Sequence, residues 1–172
     1  MFKLTCYLLL AIVAISNYSF AEEYTEQYII DKLKLPEEPD EEENNSTPTG
    51  VDKNENYIRD NVERKIAFEH YPDLQKIKLL NDYAAEYTKQ IIHFSDGNEV
   101  VYLKSRRSQI EALGCMAFLY KEEGVLQLAT IKRLLNEGAN RGANAHKRTG
   151  FGSKKMNLLT YTEMKEICPN YK

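Results

Sequence analysis

Composition and charge exclude several classes of protein at the outset. The 172 residues carry 23 basic and 26 acidic side chains, a formal net charge of −3, which is far from the strongly basic balance typical of nucleic-acid-binding proteins. After the N-terminal segment no apolar run approaches the roughly 20 residues that a membrane-spanning helix needs. We therefore expect a soluble domain that binds no nucleic acid.

The first 21 residues have the pattern of a secretory signal peptide. Lys3 supplies a positive charge, an apolar run extends from Leu8 to Ile15, and Ser19-Phe20-Ala21 offers the small residues that a signal peptidase reads. We predict cleavage after Ala21, which gives a secreted or periplasmic protein without a transmembrane anchor. A retained membrane anchor is the alternative, but the apolar run is short for that role.

Removal of the signal peptide leaves two of the three cysteines, Cys115 and Cys168. In an oxidising compartment we expect them to pair as a structural disulfide bond. Two unpaired buried thiols are the alternative, because spacing in the sequence does not prove contact.

An acidic segment, residues 36–50, separates residues 22–35 from the main domain. It has almost nothing apolar to bury, so we predict a disordered, mobile linker. Its carboxylates are Glu37, Glu38, Asp40, Glu41, Glu42 and Glu43. Residues 22–35 have weak helical character and either dock on the domain or form a tethered recognition segment. Docking is favoured because so short a helix is marginal in water.

From residue 51 to residue 172 the apolar residues recur every three or four positions, the spacing of helices that pack on neighbours. The expected helices run from 74 to 94, from 100 to a stop at Glu123-Gly124, from 125 to 135 and from 160 to 167, with a further turn of pattern over 58–66. No stretch alternates with a period of two. We predict an all-α fold, a small bundle of four or five helices with an N-terminal disordered acidic linker.

The most informative segment is the twelve residues from Asp52 to Glu63, called here the 52–63 loop. Oxygen-bearing side chains occupy its first, third, fifth, ninth and twelfth places, the spacing with which a loop wraps a calcium ion. The predicted ligands are Asp52, Asn54, Asn56, the backbone carbonyl of Ile58, Asp60 and Glu63. Only three are carboxylates, so we expect weak binding in the class of extracellular calcium modules.

The 52–63 loop resembles the calcium loops of thrombospondin type 3 repeats and, more loosely, those of EF-hands. The wider run from Gly50 to Ile66 resembles a segment of small, uncharacterised exported bacterial proteins, a resemblance that implies no activity. Those calcium loops place glycine sixth, where φ is positive, whereas this chain has Tyr57. Structural capping is the alternative interpretation, in which Asp60 and Glu63 form a D-x-x-E capping box at a helix start.

A basic, glycine-rich stretch near the C-terminus is the second feature. We predict that it presents a surface to an anionic partner, either an envelope or extracellular protein or an anionic polymer. Its cations are Lys132, Arg133, Arg141, Lys147, Arg148, Lys154 and Lys155. A solvated loop is the alternative. The stretch is not a nucleotide-binding P-loop, because it lacks glycines at the required spacing before Lys-Ser/Thr.

No catalytic signature accompanies the three histidines, so the sequence favours an exported, non-catalytic interaction module. The alternative function is a cell-envelope hydrolase that acts on the cell wall through a carboxylate or histidine site still to be identified. A deep pocket with two carboxylates in unlike environments would favour the hydrolase, and a flat basic face would favour the interaction module.

Overall fold

The computed structural model describes residues 24–136 and 157–170, and both ranges are helical without any strand. The helices are α1 (Glu26–Leu33), α2 (Glu41–Asn45), α3 (Asp60–His70), α4 (Leu74–Ser95), α5 (Glu99–Leu135) and α6 (Tyr161–Ile167), followed by a 3-10 turn at Cys168–Asn170. The predicted all-α fold is confirmed, with six helices in these ranges rather than four or five. None of the described helices is long and apolar enough to cross a membrane. The predicted signal peptide, residues 1–21, lies outside the described residues.

Helices α4 and α5 form the centre of the bundle. Tyr120 Oη donates to Asp73 Oδ1 at 3.0 Å at one end, and Gln90 Nε2 donates to Gln109 Oε1 at 3.0 Å towards the other. The first part of α5 therefore runs antiparallel to α4. The core between them consists of side chains with no exposed surface, among them Leu79, Leu80, Ala84, Ala112 and Met116.

Helix α5 reverses direction at Lys121, where φ is 56° and ψ is −138°. Beyond this residue the chain runs back beside α4: Lys76 Nζ lies 2.9 Å from Glu123 Oε1, and Tyr87 Oη donates to Asn136 Oδ1 at 2.8 Å. The sequence places the helix stop two residues too late, because Glu123-Gly124 belongs to the returning helix. Because of the reversal, the two parts of α5 form two antiparallel helices that pack with α4 at the centre of the bundle.

The C-terminal segment is tied to α5 by a disulfide bond between Cys115 and Cys168, whose Cα atoms are 5.1 Å apart. Neither cysteine has exposed surface, and the predicted pairing is confirmed. Leu159 packs over Gly114, where the absence of a side chain leaves room for it. Helix α6 then starts with a complete capping box between Thr160 and Glu163.

The N-terminal helix α1 docks on α3 rather than extending as a tethered segment. Ile29 of α1 is buried. Tyr24 stacks on Tyr28 with ring centroids 5.4 Å apart and meets the edge of the Tyr71 ring at 4.7 Å. The aromatic contacts supply the apolar burial that so short a helix needs.

The prediction that the acidic segment is a mobile linker is wrong, because the segment contains α2 and is bound to α3. Arg64 Nε lies 2.7 Å from Glu38 Oε2. Asn44 is buried, and its side-chain oxygen accepts the backbone N–H of Val51 at 3.1 Å. Composition showed that little apolar surface was available for burial, but it did not reveal these polar anchors.

Gly124 lies where the returning part of α5 meets the first part. A Cβ at this position would lie 2.6 Å from the carbonyl oxygen of Met116 and 2.9 Å from Cβ of Tyr120, so Gly124→Ala must push the two parts apart. We expect the free energy of unfolding to fall by about 1–3 kcal/mol, measured by urea denaturation. Gly114→Ala is the control, since its Cβ would meet only side-chain atoms of Leu159 and Met164. Equal losses in the two variants would contradict the proposed contact.

Replacing Cys115 and Cys168 together by alanine should lower the free energy of unfolding by about 4 kcal/mol. The reason is that the bridge joins residues 53 apart in sequence and so restricts the unfolded chain. Urea unfolding of the oxidised protein, the reduced protein and the double variant measures the effect. The reduced protein should resemble the variant, and a double variant as stable as the oxidised protein would show that the bridge contributes nothing.

Candidate cation-binding loop

The 52–63 loop connects the acidic segment to α3 and closes on itself at its base. The backbone N–H of Asp60 donates to the carbonyl of Val51 at 2.9 Å. Ile58 turns its side chain into the hydrophobic core, as the sequence predicts, and is 5% exposed. The loop is therefore anchored at its base and near its middle, and the residues between these anchors face one another.

The carboxylate of Asp52 sits inside the turn of the loop. It accepts the backbone N–H groups of Asn56 at 3.1 Å and Tyr57 at 2.7 Å. Tyr57, at the sixth place, has a φ of 68°, the left-handed conformation for which calcium loops use glycine. The loop thus takes the turn that the resemblance implies, although a bulky residue stands there.

Asp60 and Glu63 bring two carboxylates with almost no exposed surface to the same place, 0% and 9% exposed. Both oxygens of Asp60 lie 3.2 Å from the backbone N–H of Lys53. The oxygens of Glu63 accept the side-chain N–H groups of Asn54 at 3.0 Å and Asn56 at 2.9 Å. Hydrogen bonds therefore connect Asp52, Asn54, Asn56 and Glu63, whereas Asp60 is bonded separately to Lys53.

The alternative capping box at the start of α3 is wrong. The helix begins at Asp60, and the residue before it, Arg59, makes no side-chain capping hydrogen bond. Asp60 and Glu63 turn to residues of the loop instead of to the first helical turn. Their charges still lie at the positive end of the helix dipole, which favours carboxylates.

The two buried carboxyl groups are harder to ionise than usual. Burial raises the pKa of Asp60, and the nearby charge of Asp52 raises it further, whereas the N–H of Lys53 opposes the shift. Burial also raises the pKa of Glu63, with the charges of Asp60 and Asp52 acting in the same direction and the two asparagine amides opposing them. Three carboxylates thus lie near enough to repel one another.

The residues fit calcium in kind, since carboxylate and amide oxygens are the hard ligands that this ion takes. They are not arranged as a finished coordination shell. Asn54 and Asn56 present N–H groups to Glu63, so both amides would have to turn before their oxygens faced an ion. In the part of the chain that the structure describes, no three His, Cys, Asp or Glu side chains gather closely enough to hold a metal.

Arg59 joins the loop to the end of α5 and is a residue that the sequence analysis missed. It is 5% exposed, and its Nη1 donates to the carbonyl of Leu134 at 3.4 Å. Its aliphatic part lies against Gly50, where a Cβ would come within 2.4 Å of Arg59 Cδ. A cation at the C-terminal end of a helix is favourable. No sequence signal marked this contact, because its partners are 75 residues apart.

The predicted anionic-partner surface is described only in part. Lys132 and Arg133 are exposed near the end of α5. The other five members lie outside the described residues: Arg141, Lys147, Arg148, Lys154 and Lys155.

Three clefts surround the loop. One of about 340 Å³ is lined by Asp52 and Glu55 together with Arg59, and one of about 530 Å³ opens between α2 and Arg59. A third, of about 300 Å³, lies between Tyr57 and the faces of α4 and α5. The 52–63 loop is therefore bordered by spaces large enough for small ligands.

Comparison with protein-family models, with curated proteins and with solved structures gave no match.

The raised pKa values of Asp60 and Glu63 predict that the contribution of these two carboxyls to stability, without added cation, falls as pH rises. The folded protein keeps protons that the unfolded chain releases from about pH 4, so ionisation favours unfolding until both carboxyls have ionised in the folded state. Urea unfolding between about pH 4 and 7 should show a smaller fall for Glu63→Gln than for the unchanged protein. Glu55→Gln, an exposed change in the same loop, should leave the slope unaltered. Parallel slopes for all three proteins would contradict the prediction.

Proposed function

We propose that this protein is an exported, non-catalytic helical interaction module, with a 52–63 loop stabilised by one weakly bound calcium ion. The observation that supports the ion is that Asp52 and Asp60 lie near enough to raise the pKa of Glu63 by repulsion, in a loop whose sixth residue already has positive φ. Such a loop supplies oxygens from alternating positions, as calcium requires.

The role proposed for calcium is structural. Burying ionised carboxylates close together destabilises the folded protein unless a positive charge is near. A divalent ion would supply that charge. The loop holds the start of α3 to the core through Ile58 and to α5 through Arg59. An ion bound there would therefore stabilise the junction between these elements rather than take part in chemistry.

The interaction role is supported by the charge distribution and the disulfide bond. The domain from residue 51 onward has 20 basic and 16 acidic side chains, or +4, although the whole chain is acidic. Lys132 and Arg133, the two members of the basic stretch that the structure describes, are exposed near the end of α5. The Cys115–Cys168 bridge is typical of proteins in oxidising compartments. An envelope or extracellular protein, or an anionic polymer, is the partner that this chemistry favours.

Calcium should raise the melting temperature of the purified protein relative to the protein in chelator. At a concentration ten times the Kd, the ion should add about 1.4 kcal/mol to the free energy of unfolding. We expect the Kd to lie in the high-micromolar to millimolar class, measured by calorimetric titration. Protons should compete with calcium, so the Kd should rise as the pH falls.

Matched variants within the loop make the test specific. Asp52→Asn and Glu63→Gln each remove one predicted ligand charge and should abolish most of the shift. Glu55→Gln removes one negative charge from the fourth place of the loop, where the side chain is exposed and is not a predicted ligand. This variant should retain the calcium-induced rise in melting temperature. No shift at millimolar calcium, or an equal loss in all three variants, would discard the calcium site.

A further inference from the structure

The cleft beside Tyr57 is lined mostly by hydrogen-bond donors, contributed by three different parts of the chain. Its polar lining comprises Tyr57 from the loop, Lys89 and His93 from α4, and Lys104, Ser105 and Ser108 from α5. Glu86 is the one carboxylate among its lining residues. The lining thus offers two ammonium groups and three hydroxyls around about 300 Å³, space for a small ligand.

Two lysines line the cleft, and Lys104 supplies its net positive charge because Glu86 offsets Lys89. Lys89 Nζ lies 2.7 Å from Glu86 Oε1 and 5.0 Å from the centroid of the Tyr57 ring, so its position is fixed from two sides. Lys104 is exposed and forms no ion pair with any residue in the described ranges. The positive charge of Lys104 therefore remains uncompensated at the mouth of the cleft, where it can attract an anion.

The serines lie where the first part of α5 faces α4. Ser105 and Ser108 are three residues apart and therefore lie on the same face of the helix. Lys104 directly precedes Ser105 and lies beside that face. The residue Ser105 is 3% exposed. Serine hydroxyls beside an ammonium group form the kind of donor set that binds phosphate oxygens through charge-assisted hydrogen bonds.

We propose that this cleft binds a phosphate group, held by Lys104 and Lys89 with the serine hydroxyls, and that Tyr57 forms one of its walls. The proposal goes beyond the calcium site and does not require it. It also accounts for a tyrosine at the sixth place of the loop, where glycine would be free of strain. The ring contacts Lys89, and glycine would remove both that contact and the wall.

Titration with inorganic phosphate tests the site, in calcium-free buffer so that calcium phosphate cannot form. Nuclear magnetic resonance of the isotope-labelled protein should show saturable shifts at the amides of residues 104–108. Lys104→Gln should raise the Kd about tenfold. Lys32→Gln, an exposed lysine of α1 that does not line the cleft, should leave the Kd unchanged. The absence of saturable shifts, or equal weakening by both variants, would overturn the proposal.

Tyr57 separates this site from the calcium site. Tyr57→Gly should weaken phosphate binding severalfold while keeping or enlarging the rise in melting temperature caused by calcium. Tyr57→Phe retains the wall and should bind phosphate within about twofold of the unchanged protein. A glycine variant that binds phosphate normally would remove Tyr57 from the site. If only the calcium effect were lost, the proposed calcium site in the loop would be contradicted and the proposed phosphate site in the cleft would not.

The source of the phosphate group is determined by co-sedimentation with vesicles of phosphatidylglycerol. Binding that is lost in Lys104→Gln and retained in Lys32→Gln identifies a lipid headgroup. Saturable binding of inorganic phosphate without vesicle binding identifies a soluble phosphate. Binding of neither probe would overturn the proposal, provided that thermal melting shows each variant to be folded.

Discussion

Burial of the Asp60 carboxylate sets the path by which the chain passes from the acidic segment into the bundle. A carboxylate without exposed surface needs hydrogen-bond donors, and here both oxygens accept the N–H of Lys53 while the N–H of Asp60 closes on Val51. These contacts bring the end of the 52–63 loop back to the residues at which the loop begins. The turn encloses Asp52 and directs Ile58 into the core. The left-handed Tyr57, and the cleft beside its ring, follow from that path.

Features governed by local pattern or covalent chemistry could be predicted from the sequence. The apolar spacing predicts a helix over 74–94, and α4 spans Leu74–Ser95. Cys115 and Cys168 form the expected bond. The loop spacing picked out Asn54, Asn56 and Glu63, whose side chains do meet, although through asparagine N–H groups and not through oxygens around one point. These predictions needed no knowledge of distant contacts.

Other features depend on pairs far apart in sequence, and there the local pattern was insufficient. The acidic segment is ordered through Glu38 and Arg64, which are 26 residues apart. The reversal at Lys121 depends on how closely the two parts of α5 approach each other. The predicted helix end at Glu123-Gly124 therefore gave the position of the reversal only approximately. The spacing of oxygens also could not show that asparagine N–H groups meet Glu63, or that Tyr57 joins a cleft with residues of two helices.

The bond between Cys115 and Cys168 encloses the intervening residues in one covalent ring. A protease that hydrolyses a single peptide bond inside this ring opens it but frees no fragment, because both new ends remain attached through sulfur. The basic stretch lies within the ring. Cleavage there would leave α6 linked to α5, so a nicked molecule would separate into two pieces only after reduction.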